Sequence, residues 1–431
     1  MHAYASDDPV FVAMNRRGER ETGGALGSFC VNCHAPMAVR EGATTDGLNL
    51  ASVPASLRGV TCYFCHAADA VAGTHNAPIH LADDLVMRGP FPDPIPNAAH
   101  RAQYSPLADR DRTDSATLCG ACHDIVTGHG AAIERTFSEW QSSVFSHAPG
   151  GTTCGQCHMA QSSALQPVAE VPGAPQRRTH SHAFPGVDVA LVPYPQASDQ
   201  KTQIQEFLNT TLQTALCVAP SGNGASLRVI LDNVAAGHNW PSGATQDRRA
   251  WVEIIAYAGS NVISQSGVAS GDPIASSAAD PDLWLLRDCM FDDAGKSVNM
   301  FWQAASVEGN ELPAAATFVQ TDPRYYQTHI VQTFPRSGAP IAALPDRVTM
   351  RVRLQAIGLS VIDDLVATGD LDAALRDQIP TYDVGPLLTW TAATATTSYL
   401  EGRTVVSCVT ATNLNVQADK VPAASHTRCQ P

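Results

Sequence analysis

Cys30-Val-Asn-Cys33-His34 is the stretch that decides this chain, because its pattern returns as Cys62-Tyr-Phe-Cys65-His66, Cys119-Gly-Ala-Cys122-His123 and Cys154-Gly-Gln-Cys157-His158. Two cysteines three apart, followed at once by a histidine, are what covalent attachment of c-type haem requires. The sulfurs add across the porphyrin vinyl groups, and the adjacent imidazole is left under the iron as its proximal ligand. The competing reading is a tetrahedral four-thiolate zinc site built from paired Cys-x-x-Cys motifs. The intervals here, 28 residues between Cys33 and Cys62 and 31 between Cys122 and Cys154, exceed those of a zinc ribbon. Zinc also gives no reason for a histidine after every second cysteine. The expectation is four covalently bound haem c groups. Cys30, Cys33, Cys62, Cys65, Cys119, Cys122, Cys154 and Cys157 would carry the thioethers, with His34, His66, His123 and His158 as proximal ligands.

The rest of the composition fits that expectation. Aromatic residues make up 6% of the 431-residue chain, low for a core-rich protein. Four porphyrins would supply flat apolar bulk in their place. The length predicts two or three domains. The formal charge of −14 argues against nucleic acid or an anionic membrane surface as partner. It suits basic partner proteins, metal cations or solubility alone. No run of 18 apolar residues occurs, so no transmembrane helix is expected.

Haem is joined to this motif outside the cytoplasmic membrane in bacteria, which predicts export. The opening Met1-His2-Ala3-Tyr4-Ala5-Ser6-Asp7-Asp8 has neither a basic nor an apolar leader region, so a signal peptide is expected to be missing from the numbered chain.

Histidine and cysteine usage marks a boundary. Twelve of the fifteen histidines lie at or before residue 182, and the cysteines after residue 160 are the isolated Cys217, Cys289, Cys408 and Cys429. Pro-rich sequence from Gln166 to Pro195 separates the halves. Residues 1–195 are therefore read as an irregular, loop-rich haem domain with short helices. Arg88-Gly-Pro-Phe-Pro-Asp-Pro-Ile-Pro96, within it, can be neither helix nor central strand. Residues 196–431 are read as a mainly β domain. Leu227–Val234 and Arg347–Leu354 alternate apolar and polar residues, and Trp251–Tyr257 with Asn261–Ser264 flank a turn like a hairpin. A short helical insertion is expected near 361–379, interrupted at Gly369 and stopped by Pro380. The fold class is α+β, with a β-sandwich-like C-terminal domain. Four lone cysteines in an exported protein predict one or two disulfides, with the pairing open.

The second iron ligand decides between a wire and an enzyme. Histidine on both faces gives an electron carrier; an open face admits substrate. Eleven histidines remain beyond the proximal four. Those weighed are His2, His75, His80, His100, His129, His147, His180, His182 and His238. Met14, Met37, Met87 and Met159 compete, and read better as packing residues.

His2-Ala-x-Ala, Asp8-Pro-Val-Phe11, Phe29-Cys-x-x-Cys-His-Ala-Pro36, Gly59-Val-Thr-Cys-x-x-Cys-His66, Leu118-Cys-Gly-Ala-Cys-His-Asp124 and Cys154-Gly-Gln-Cys-His-Met159 together resemble the large multihaem cytochrome c group that includes cytochrome c-554-like proteins. The resemblance covers residues 1 to about 190. It implies distal roles for His2, for His100 upstream of the third motif, and for His182 in His182-Ala-Phe-Pro-Gly186. Gly237-His-Asn-Trp-Pro-Ser-Gly243 resembles a turn of attached β-domains and makes His238 the fourth candidate, with His75 as its rival.

Electron transfer outside the cytoplasm is the function expected, in extracellular electron transfer. The location is extracellular or at the outer cell surface, alternatively periplasmic. Partners are other redox proteins or copies of the chain itself. The resemblance extends to tetrahaem proteins that polymerise into cytochrome filaments (nanowires), where His2 would be a natural ligand to hand to a neighbouring subunit. The alternative is a multihaem oxidoreductase acting on small nitrogen compounds. Such enzymes keep one iron five-coordinate, whereas all four motifs here are ordinary and histidine is plentiful. No catalytic residues are therefore expected.

Overall fold

The computed structural model describes residues 1–95, 99–147, 149–276, 279–319, 321–393 and 405–407. The chain is α+β. Its motif-bearing half consists of short elements joined by loops, as the Gly and Pro content requires. Its longest helix, α1 (Pro9–Thr22), has both ends written in the sequence: the Asp8 side chain accepts from the N–H groups of Val10 and Phe11, Pro9 fills the first turn, and Gly23 closes the helix in the left-handed conformation. The motifs sit on or beside single helical turns: α2 (Val31–His34), α3 (Cys62–Ala67), α4 (Ser115–Gly120) and α6 (Cys154–His158), with α5 (Thr136–Ser142) between the last two. The apolar clusters around them are small and rich in alanine, for example Val31, Ala35, Ala38, Leu50 and Val53.

The second half opens with α7 (Ala197–Thr211) and continues as two sheets. One is ordered β5 (His329–Phe334), β2 (Gly224–Asn233), β1 (Leu212–Ser221), β8 (Val405–Ser407). The other is ordered β4 (Asn261–Ser266), β3 (Arg249–Ala258), β6 (Arg347–Gln355), β7 (Thr381–Thr391), with Leu285–Leu286 also paired to β3. The alternation in β6 explains the packing. Val348, Met350, Val352 and Leu354 point inward and share one cluster with Leu216, Leu227, Val229 and Leu231 of the facing sheet. The intervening Arg351 and Arg353 point outward to Glu253 and Asp383. Each fully buried aliphatic side chain contributes about 1.5–3 kcal/mol, so this sandwich core is the main apolar reservoir of the molecule. The expected hairpin is β3–β4, and the helical insertion is α8 (Leu359–Ala367), Gly369 in the left-handed region and a 3₁₀ segment at Ala373–Gln378.

Helix α1 docks on α8. Val10 and Ala13 share a cluster with Met300, Trp302, Ile362, Leu365 and Leu371. The Trp302 indole donates to Glu21 at 2.9 Å, and Arg20 meets Asp370 at 2.6 Å. Cys217 and Cys289 are each disulfide-bonded. Cys408 and Cys429 lie outside the described residues. Among the described residues no helix is long and apolar enough to cross a membrane.

Candidate haem-binding site

A helical turn puts Cys, Cys and His on one side. In the first and third motifs the histidine N–H closes that turn on the first cysteine's carbonyl, at 3.1 Å for His34 and 3.0 Å for His123. The fourth motif is fixed by a capping box between Thr153 and Gln156, and the second by the Thr61 hydroxyl accepting from the Phe64 N–H. Gly120, inside the third motif, has no side chain because a Cβ there would lie 2.2 Å from the Phe137 ring of α5. All eight motif cysteines are free thiols. Thiols of different motifs come together, Cys33 beside Cys122 and Cys119 beside Cys154, each within hydrogen-bond reach. The first, third and fourth sites are thus contiguous.

Each proximal imidazole has its Nδ1 held. His34 faces the Ala5 carbonyl at 3.2 Å, His66 that of Arg88 at 2.5 Å, and His158 that of Pro185 at 2.8 Å. His123 faces the Glu134 carboxylate at 3.0 Å. Such bonds fix the ring and its tautomer and leave Nε2 for a metal. This is the arrangement that haem attachment at the adjacent cysteines demands.

Second imidazoles oppose two of them. His2 lies 6.0 Å from His123 and His182 lies 6.2 Å from His66, centroid to centroid. Two imidazoles on opposite sides of one metal, each bonded at about 2.0–2.1 Å, would hold their ring centres about 6 Å apart. The His2 Nδ1 is buried without a hydrogen-bond partner. Burial, with His123, the chain's own amino group, His34 and His158 nearby, drives the His2 pKa down to about 3. Burial takes His238 down to about 4, against the Asn239 carbonyl, with smaller contributions from His158 and His123. Burial likewise lowers His34, His158 and His182. These rings are therefore neutral, the form that ligates metal. His123 departs: burial works to lower its pKa, but the Glu134 carboxylate overrides this and raises it to about 9.

Local chain structure explains the convergence. His2 sits on a 3₁₀ turn whose carbonyl accepts from the Val60 N–H at 2.9 Å. Gly59, at φ +68°, permits that approach, since a Cβ there would lie 2.3 Å from the Ala3 carbonyl oxygen. The same segment supplies the Ala5 carbonyl to His34. Residues 182–185 serve three sites: His182 faces His66, Phe184 packs edge-on against both His2 and His182, and the Pro185 carbonyl holds His158. His238 rides on the turn after β2. Its Nδ1 points at the Asn239 carbonyl at 2.7 Å, and the Asn233 amide donates to its carbonyl. Ser242 of that turn donates to Glu139 of α5, tying the turn to the motif half.

The structure therefore brings together His2, His182 and His238 with the proximal set, and it places His2 against its own chain's His123. It does not bring in His100 or His75. Both are exposed, as His182 is, but His100 sets its Nδ1 against the adjacent Arg101 carbonyl and His75 lies beside the Thr74 hydroxyl rather than facing a motif histidine. His80 is exposed and paired with Asp69 at 2.5 Å. Sequence reasoning missed Glu134, whose signal is only that it follows the third motif in a short strand. It also missed Phe11, whose ring stacks on His34 at 4.2 Å.

No protein-family model and no curated protein matches this sequence. Among solved structures the chain is similar to a penta-haem cytochrome c552 from Thermochromatium tepidum, with a TM-score of 0.54 and 17% identity over 84% of this chain and 83% of that one. At that identity the likeness is one of fold: the arrangement built here around four Cys-x-x-Cys-His turns is similar to that of a multihaem cytochrome c.

Proposed function

We propose that the chain carries four covalently attached haem c groups and transfers electrons outside the cytoplasm. The observation that carries this reading is the common setting of the four motifs: free cysteines on a helical turn, with each histidine Nδ1 held by an acceptor. When bound, haem supplies a one-electron iron couple whose potential is set by its axial ligands and surroundings. The chain's own part is to tether, orient and enclose. His2 opposes His123 and His182 opposes His66, while His158 acts electrostatically on His238; these are the proposed distal ligands of the third, second and fourth sites. At those three sites an imidazole on both sides would close the iron to substrate, which favours electron transfer over chemistry on small nitrogen compounds.

The finer reading is a subunit of extracellular electron transfer that polymerises into filaments. Contiguity of the first, third and fourth sites supports a conducting array, and the negative charge suits a redox partner with a basic surface. Intact mass and pyridine haemochrome analysis should give four haems per chain; a bare polypeptide or bound zinc would overturn the reading. EPR should show low-spin centres at the second, third and fourth sites, one of them converted to high spin by His182→Ala. A high-spin haem in the native protein would favour the oxidoreductase instead. Electron microscopy of native material should show filaments, and discrete particles would remove the filament reading alone.

A further inference from the structure

Three of the four proximal imidazoles are held alike, and one is not. His34, His66 and His158 each set Nδ1 against a neutral backbone carbonyl. His123 sets it against Oε1 of Glu134. Glu134 is fixed for this purpose. It ends the short strand Ala132–Glu134 and pairs in register with Ile125, two residues past His123. Its side chain is 19% exposed. The two guanidinium groups around it have other partners: Arg135 is committed to Asp288 at 2.9 Å, to Glu311 and to Glu139, and Arg248, on which the Glu134 charge also acts, is paired with Asp188 at 2.9 Å.

A hydrogen bond to an ionised acceptor is roughly twice as strong as one to a neutral acceptor. It draws the Nδ1 proton toward the carboxylate, so the ring gains imidazolate character and donates more electron density through Nε2. Stronger donation and an adjacent negative charge both favour the ferric state over the ferrous state.

We propose that Glu134 is a positioning residue that makes the third site the lowest in reduction potential of the four. This rests on haem attachment at the third motif, as proposed above. The site lies between two others, with Cys122 beside Cys33 and Cys119 beside Cys154. A low-potential centre there is a thermodynamic step in the middle of the array: electrons rest on its neighbours and cross it uphill.

The test is a spectroelectrochemical titration of the haem-loaded full chain, comparing the unaltered protein with Glu134→Gln and Asp69→Asn. Glu134→Gln keeps an oxygen acceptor and removes the charge. It should raise the most negative midpoint, leave the other three in place, and shift the low-spin g-values of one centre without changing its spin state. Asp69→Asn removes the carboxylate from His80, a pair of similar chemistry that involves none of the four proximal rings, and should leave the most negative midpoint in place. A lowest midpoint unmoved by Glu134→Gln, or movement confined to a different midpoint, would overturn the proposal. If Glu134→Gln fails to keep four haems, Glu134→Asp, which retains the charge but withdraws it from Nδ1, is judged by the same criterion. Fewer than four haems in the unaltered protein would instead sink the reading of the site itself.

Discussion

The two halves of this molecule fill their interiors by different means. Between the β-sheets a single cluster of Leu, Ile, Val, Met and Trp runs from Leu216 to Trp390. Around the motifs the buried residues form separate patches, in which alanines such as Ala35, Ala38, Ala67 and Ala116 alternate with a few large side chains, Phe64, Phe137 and Trp140 among them. One half is packed around one continuous core; the other is divided among small clusters.

The largest expected effect breaks the comparison outright if it fails. Chain made without haem should show fast hydrogen exchange through α2, α3, α4 and α6 and retained protection in β2, β3 and β6. Protected motif helices in the haem-free chain would mean that this half has a core of its own. Next comes the sandwich. Leu231→Ala empties a fully buried position and should cost about 2–5 kcal/mol in denaturant unfolding, with the haem count and low-spin spectrum unchanged.

A smaller effect is read by pH. Burial holds the Asp247 carboxyl above its ordinary 3.8, at about 6. The folded state disfavours the charged form, so this residue's contribution is complete below pH 4 and is lost as pH rises through about 6. The slope for one such proton is at most about 1.4 kcal/mol per pH unit. Asp247→Asn should flatten the stability profile in that window; an unchanged profile would remove Asp247 from the account. The most local change is expected from Gly59→Ala, which costs about 1–2 kcal/mol for the positive φ alone and also sets a Cβ 2.3 Å from the Ala3 carbonyl oxygen, so that backbone must shift. Its useful readout is local: the turn bearing His2 should be displaced and one low-spin centre perturbed, while the sandwich melts as before.

Much of this was legible beforehand. The motifs are local, and the alternation in β6 and the Gly369 break after α8 follow from period and backbone preference alone. His182 and His238 carried a signal through flanking Phe, Pro and Gly residues. His100 carried a similar signal, yet the structure leaves it at the surface: an interval ahead of a motif fixes reach but not direction. Glu134 could not be picked out, because nothing in Ala-Ile-Glu distinguishes a carboxylate aimed at an imidazole from one aimed at water.

The sequence alone marks the four places where haem is proposed to be tethered, because thioether attachment needs only five consecutive residues on one helical turn. It also determined which half would be sandwich, because alternation over eight or nine residues commits a strand to a buried face. The tertiary structure alone decided which imidazole faces which, and that one proximal histidine answers to a carboxylate. Those choices join residues more than a hundred positions apart, as His2 and His123 show. Such pairings depend on how loops close around a shared interior, which no local pattern records.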